Sequence, residues 1–92
     1  MKTPDQERIP ELGFKCAEYV YSYIEESERD DYLTNKKNLG ELFQEYEGVL
    51  EQMVEDIEDI EFDFENEAHV KFFDDVISTA IRETVEMLEV GD

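Results

Sequence analysis

Residues 55–67 read EDIEDIEFDFENE, and eight of these thirteen side chains are acidic. Ile57, Ile60, Phe62 and Phe64 are threaded through the charge. Whether this stretch continues a helix or ends one decides how the chain divides. Up to Asp59 the apolar residues keep a helical step, which predicts Ile57 inward and Glu55, Glu58 and Asp59 outward. From Ile60 the step shortens to two, the period of extended backbone. The change predicts a helix end near Asp59 and then an extended connection. Ile60, Phe62 and Phe64 would pin one side of that connection to the core and hold Glu61, Asp63 and Glu65 on the other.

Upstream, Leu39, Leu42, Phe43, Tyr46, Leu50, Met53, Val54 and Ile57 recur at three- and four-residue steps, the stripe of an amphipathic helix. Asn38 with Glu41 three residues later fits a capping box, with a start near Thr34 as the alternative. Glu41, Glu51, Glu55, Glu58 and Asp59 are predicted to project from the side opposite the stripe. Downstream, Asn66 is a candidate N-cap with Glu67 in the first turn, where a carboxylate opposes the helix dipole. Val70, Phe73, Ile77, Ala80, Ile81, Thr84 and Leu88 form the third predicted stripe, and Gly91 suits a C′ position. Phe72 falls outside that stripe. It either packs against the segment carrying Phe62 and Phe64, or stands exposed as an aromatic anchor at an interface.

A first helix is predicted over residues 11–28, with Ile9, Gly13, Cys16, Ala17, Val20, Tyr23 and Ile24 on one face. Its centre has a rival reading, because 19–24 is YVYSYI, rich in strand formers. Length and the acidic flanks favour helix. Residues 1–10 contain both prolines and read as a loose lead-in. The expectation is one all-α domain, a small three-helix bundle with a short extended segment between its second and third helices.

Composition narrows the function. Ninety-two residues make one domain with one modest core. Six Phe, five Tyr and 40% hydrophobic residues separate the chain from a disordered acidic tail. Charge is the outlier, with 27 acidic against 8 basic residues and a net −19. Solubility alone asks for a magnitude of about 2–8 in a small domain. A polyanion of this kind repels phosphates, so nucleic acid is not expected as a direct ligand and a basic protein surface is. No secretory leader and no membrane span are visible, and the lone Cys16 suits a reducing cytoplasm as a buried apolar residue.

The usual chemical motifs fail. One histidine, His69, and one cysteine cannot assemble a zinc site, and His69 reads as a surface or packing residue. The EF-hand test places Asp59, Glu61, Asp63 and Glu65 at loop positions 1, 3, 5 and 7, but Phe64 at position 6, where the turn demands glycine. The Asp-Ser-Leu attachment site of an acyl carrier protein is absent. Ser22, Ser27 and Ser78 lack a nucleophile elbow. Neither a cofactor nor a catalytic centre is expected, and no enzymatic activity.

What stands out is the distribution of charge. Between positions 38 and 70 there is no Lys or Arg, while twelve residues are acidic. On a helix, carboxylates four residues apart lie about 6 Å apart along the axis. Alternate residues of an extended segment are about 6.6 Å apart. DNA carries a phosphate per about 3.4 Å on each strand, so the protein's row of charge is comparable though sparser. Solvated faces, halophilic proteins and acidic adaptors also carry excess carboxylates, but a halophilic protein would not concentrate them in one helix and its following segment. In general character the chain resembles the acidic phage-encoded nucleic-acid mimics, including some anti-CRISPR and anti-restriction proteins. The resemblance is one of class, without a shared motif, so no residue role is carried over from it. It implies a stoichiometric inhibitor that occupies the basic channel of a bacterial defence nuclease or effector complex in the host cytoplasm.

Candidate partner-binding residues are Glu41, Glu51, Glu55, Glu58 and Asp59 on the second helix, Glu61, Asp63 and Glu65 on the extended segment, and Phe72. Two other readings stand beside the mimic. An immunity protein neutralising a cognate basic nuclease toxin needs the same surface. An adaptor or scaffold module would instead bind another protein through an apolar stripe. A homodimer is compatible with each.

Overall fold

The computed structural model describes residues 4–90, and among them the chain is helical with no strand. Five α-helices, α1 (Ile9–Tyr21), α2 (Arg29–Leu33), α3 (Leu39–Glu45), α4 (Glu47–Glu58) and α5 (Glu67–Val90), are joined by short connections. Single 3₁₀ turns at Gln6–Arg8 and Glu26–Glu28 lead into α1 and α2. No helix among the described residues is long and apolar enough to cross a membrane. The C′ role expected of Gly91 falls outside the described residues.

The all-α expectation holds, but the first expected helix is shortened, the second is divided, and an unexpected short helix, α2, lies between them. The first stops at Tyr21 rather than Glu28. Past that point the Ser22 hydroxyl donates to the Tyr19 carbonyl (2.6 Å), and Tyr23 and Ile24 N–H groups reach back only three residues. Side-chain competition of this kind loosens a helix end, and Ile24 turns inward to be buried. Helix wins over strand through the rest of YVYSYI. The second expected helix breaks at Tyr46, which takes φ −97° and ψ 2°. Its ring stacks on Tyr23 (5.4 Å between centroids, 27° between planes) and meets Tyr19 edge-on at 6.0 Å. Gly48, a poor helix former just beyond, weakens the continuation.

Residues 5–10, read as part of a loose lead-in, are organised. The Asp5 carboxylate accepts the Glu7 N–H (2.9 Å) and caps the first 3₁₀ turn. Pro10 occupies the opening turn of α1, where its missing N–H costs no hydrogen bond.

The main interface runs between α1 and α5. Leu12, Cys16, Ala17 and Val20 meet the α5 face that carries Val76, Ala80, Thr84 and Leu88, all buried. Burial lifts the Cys16 thiol to about 12, which keeps it protonated and unreactive. The Thr84 hydroxyl is satisfied by the Ala80 carbonyl at 2.7 Å. Gly13 makes the close approach possible, because a Cβ there would stand 2.5 Å from Thr79 Cγ2 and 3.3 Å from the Ala80 nitrogen.

α5 is rotated from its expected phase. His69, Phe72 and Val76 join Phe73, Ala80, Thr84 and Leu88 inside, while Val70, Ile77 and Ile81 sit at the margin. Phe72 is therefore a core residue, its ring 6.1 Å from that of Phe62. The packing reading holds and the exposed anchor does not. The rotation follows from aromatic density at the N-terminal end of α5, where Phe62 needs two facing rings.

Gly13→Val should separate α1 from α5, because both Cγ2 and Cβ of the short, branched Thr79 side chain stand in the way, at 2.5 and 2.7 Å. Overpacking of this kind costs about 1–3 kcal/mol. The expected outcome is a lower melting temperature by circular dichroism with helicity retained below the transition. Unchanged stability would mean that the two helices have slack at this crossing.

Candidate functional site

The acidic block folds into three surroundings. On α4, Glu47, Glu51 and Glu55 follow one another at four-residue spacing. Glu51 and Glu55 are half-buried and Glu47 is exposed. Burial first, then the charges of Glu55 and Glu47, raise the Glu51 carboxyl above its ordinary 4.5. Repulsion along this row is not relieved by any ion pair among the described residues. The cations of the described chain that form ion pairs serve Glu11, Glu28, Asp75 and Glu58.

Glu58 is the exception within the block. Expected outward, it is buried, with Arg8 Nε and Nη2 each 3.0 Å from its Oε2. The Glu58 carboxylate is the largest influence holding the Arg8 guanidinium above its ordinary value. It fastens the start of α1 to the end of α4 and offers nothing to a partner. Ile57, expected inward, is exposed. The two exchanges share a cause: a cation fifty residues away in sequence turns the last turn of α4, bringing Glu58 in and leaving Ile57 out.

Beyond α4 the backbone stops in a closed turn. Asp59 takes the left-handed conformation (φ 54°, ψ 47°), and the Ile60 N–H bonds to the Glu55 carbonyl at 3.1 Å, the Schellman closure. Asp is among the few residues other than glycine that tolerate this region. The following connection then hangs on Phe62. Its ring is buried among those of Phe64, His69, Phe72 and Phe73, with centroids 5.5–6.1 Å away. Its N–H donates to the Glu55 carboxylate (2.7 Å), and the next N–H, of Asp63, donates to His69 Nδ1 (3.0 Å). The Asp63 carboxylate accepts the Glu65 N–H (3.0 Å), and Asn66 Oδ1 accepts the Ala68 N–H (3.0 Å) as the N-cap of α5. The expected extended segment therefore ends at Asp63, where residues 63–66 close a turn through the Asn66 N–H and the Asp63 carbonyl (2.9 Å), and the charge is displayed from a hydrogen-bonded backbone.

Of the expected inward residues here, Ile60 is half-buried, Phe62 buried, and Phe64 exposed, stacked on Phe62 and edge-on to Phe73. Asp59, Glu61, Asp63 and Glu65 are all exposed, as is Glu41, whose N–H donates to the Asn38 cap at 3.3 Å. Glu55 carries a structural hydrogen bond, and Phe72 and Glu58 are internal. The structure thus brings five of the nine candidates, Glu41, Asp59, Glu61, Asp63 and Glu65, to the surface. His69 is a satisfied packing residue, and no group of three or more His, Cys, Asp or Glu that could hold a metal is present among the described residues.

One surface feature was missed in the sequence. Val49, the apolar residue that the stripe of the second helix leaves unexplained, is exposed. With Met53, Ile57 and Gly48 it lines a shallow apolar groove of about 510 Å³ on the outer side of α4, walled by Tyr19 and edged by Gln52 and Asp56. Comparison of the chain with known family models, curated proteins and solved structures finds no match.

Because its folded pKa is raised, Glu51 holds its proton more tightly folded than unfolded. Its contribution to stability is therefore greatest in acid and falls as pH rises above 4.5 through the raised value. Glu51→Gln should stabilise the protein at pH 7, by about 0.2–0.5 kcal/mol for each repulsive neighbour removed. The gain should vanish below pH 4.5. A loss of stability at pH 7 would show that the ionised carboxylate is favourable where it stands.

Proposed function

We propose that this protein is a stoichiometric inhibitor that presents carboxylates in place of nucleic-acid phosphates and occupies the basic binding channel of a bacterial defence nuclease or effector complex. The observation that carries the reading is a group of exposed carboxylates without ion pairs, Asp59, Glu61, Asp63 and Glu65, on a connection held by Phe62 and by backbone hydrogen bonds. A preorganised array loses little entropy when it meets cations, unlike an acidic tail. The Cα envelope measures 43 × 20 × 16 Å. Its long axis spans about a dozen base-pair steps at roughly 3.4 Å each. Like charges steer the molecule away from nucleic acid and toward whatever binds it.

This reading places the protein with the phage-encoded or mobile-element mimics of the anti-CRISPR and anti-restriction kind. An adaptor reading gains one specific support, the exposed groove formed by Val49, Met53 and Ile57. It differs in predicting an affinity nearly independent of salt.

Capture from bacterial lysate, followed by mass spectrometry, should recover a nucleic-acid-binding protein that is released by raised salt and displaced by short duplex DNA or RNA. Recovery of a dedicated toxin nuclease would reassign the protein as an immunity factor. Salt-insensitive capture, or indifference to duplex, would remove the mimic. Against the captured partner, the variant E41K/E47K/E61K/E65K reverses exposed carboxylates that make no structural ion pair. It should bind about 30- to 1,000-fold more weakly, at roughly 0.5–1 kcal/mol per contact. Glu55 and Glu58 are left intact because their carboxylates hold the fold.

A further inference from the structure

We propose that the groove on α4 is a docking site for a cationic amphipathic helix of the partner protein, whose apolar residues seat on Val49, Met53 and Ile57. This deepens the inhibitor reading and rests on its claim that the partner is basic.

Geometry comes first. Val49, Met53 and Ile57 succeed one another every four residues, so they lie in a row with about 6 Å between neighbours. An approaching helix presents its own apolar residues at three- and four-residue steps, the match used when a helix beds in a groove. Val49 is 48% and Ile57 36% exposed, so both have apolar surface left to bury. Tyr19 closes one wall, and its ring is fixed by contacts to Tyr23 and Tyr46 at 5.1 and 6.0 Å.

Gly48 supplies a second observation. Gly13 is explained inside the fold by its contact with Thr79, whereas a Cβ added at Gly48 would meet nothing within 4 Å. Nor does Gly48 take a positive φ. A glycine inside a helix weakens it relative to alanine, and no internal packing here requires one. Its bare backbone at the groove lets another main chain come close, as small residues do wherever helices pack tightly.

Charge then selects the occupant. Asp56 edges the groove with no cation opposite it, Asp59 is exposed just beyond, and no basic residue lines the groove. A second copy of this chain would bring another −19 to the same face. An anionic membrane or an acidic peptide is repelled for the same reason. A helix with Lys or Arg flanking its apolar ridge satisfies both halves of the site.

The test uses the whole 92-residue chain and three synthetic helical peptides of about 18 residues, long enough to be partly helical alone. One carries Leu on a single face among Lys, the second replaces Leu with Gln, and the third replaces Lys with Glu. Calorimetric titration should show the Leu/Lys peptide binding most tightly. V49Q/I57Q should weaken it about tenfold while leaving the Gln/Lys peptide within about twofold. Gly48→Ala should raise the melting temperature and still lower affinity for the Leu/Lys peptide, a split that a purely structural glycine does not give. Equal binding of the two cationic peptides overturns the groove and leaves the electrostatic reading standing. Binding of the Leu/Glu peptide as tight as Leu/Lys overturns the charge selection. If neither cationic peptide binds, both the groove and the inhibitor reading fall. Undiminished binding by either variant overturns the docking geometry.

Discussion

Self-repulsion is the constraint to which the rest of this structure answers. A net charge of −19 sits within an envelope only 20 and 16 Å across its shorter axes. At physiological salt the screening length is about 8 Å, so neighbouring carboxylates still feel one another. The fold meets this by separating two tasks. Cohesion is assigned to the α1–α5 seam and to the aromatic cluster around Phe62, where apolar contacts are dense. Charge is moved to the outer surfaces of α3, α4 and the connection after Asp59. The few cations mostly serve acids outside the central block, so that block stays almost wholly negative.

That division explains why residues 55–67 mix so much charge with so many apolar side chains. Phe62 is the hinge of the arrangement, since its ring belongs to the core while its N–H binds Glu55. One carboxylate of the block is thereby used to order the backbone that displays the others. Asp63 is used in the same way through the Glu65 N–H, yet remains exposed. A connection with the N–H groups of Ile60, Phe62, Asp63, Glu65 and Asn66 all bonded internally does not depend on a partner for its shape.

Local signals in the sequence were reliable where local chemistry decides. Asn38 and Asn66 cap helices because their side chains reach a nearby N–H, and the switch to period two at Ile60 marks the end of α4. Helical phase was less legible, because it is fixed by partners distant in the chain. Nothing near Glu58 shows that Arg8 will draw it inward, and nothing near Tyr46 shows that Tyr19 and Tyr23 will stop a helix there. The rotation of α5 toward Phe72 and Val76 has the same origin. At the surface, Val49 was the one trace of the groove, an apolar residue without a place in its helix's stripe.

Charge and groove act over different ranges, and this gives each a different consequence. Coulomb attraction reaches across a screening length and raises the rate of encounter with any basic surface, without choosing among them. The apolar row on α4 acts only in contact, where a mismatched partner leaves Val49 and Ile57 wet and brings no compensating burial. Neither suffices alone. A bare polyanion would be sequestered by every abundant cationic protein, and a groove this shallow would capture a neutral helix only weakly. The acids Glu47, Glu51 and Glu55 stand two residues from Val49, Met53 and Ile57 and so on the far side of α4 from the groove, which leaves the row strained by charge and the apolar row on separate surfaces of one helix.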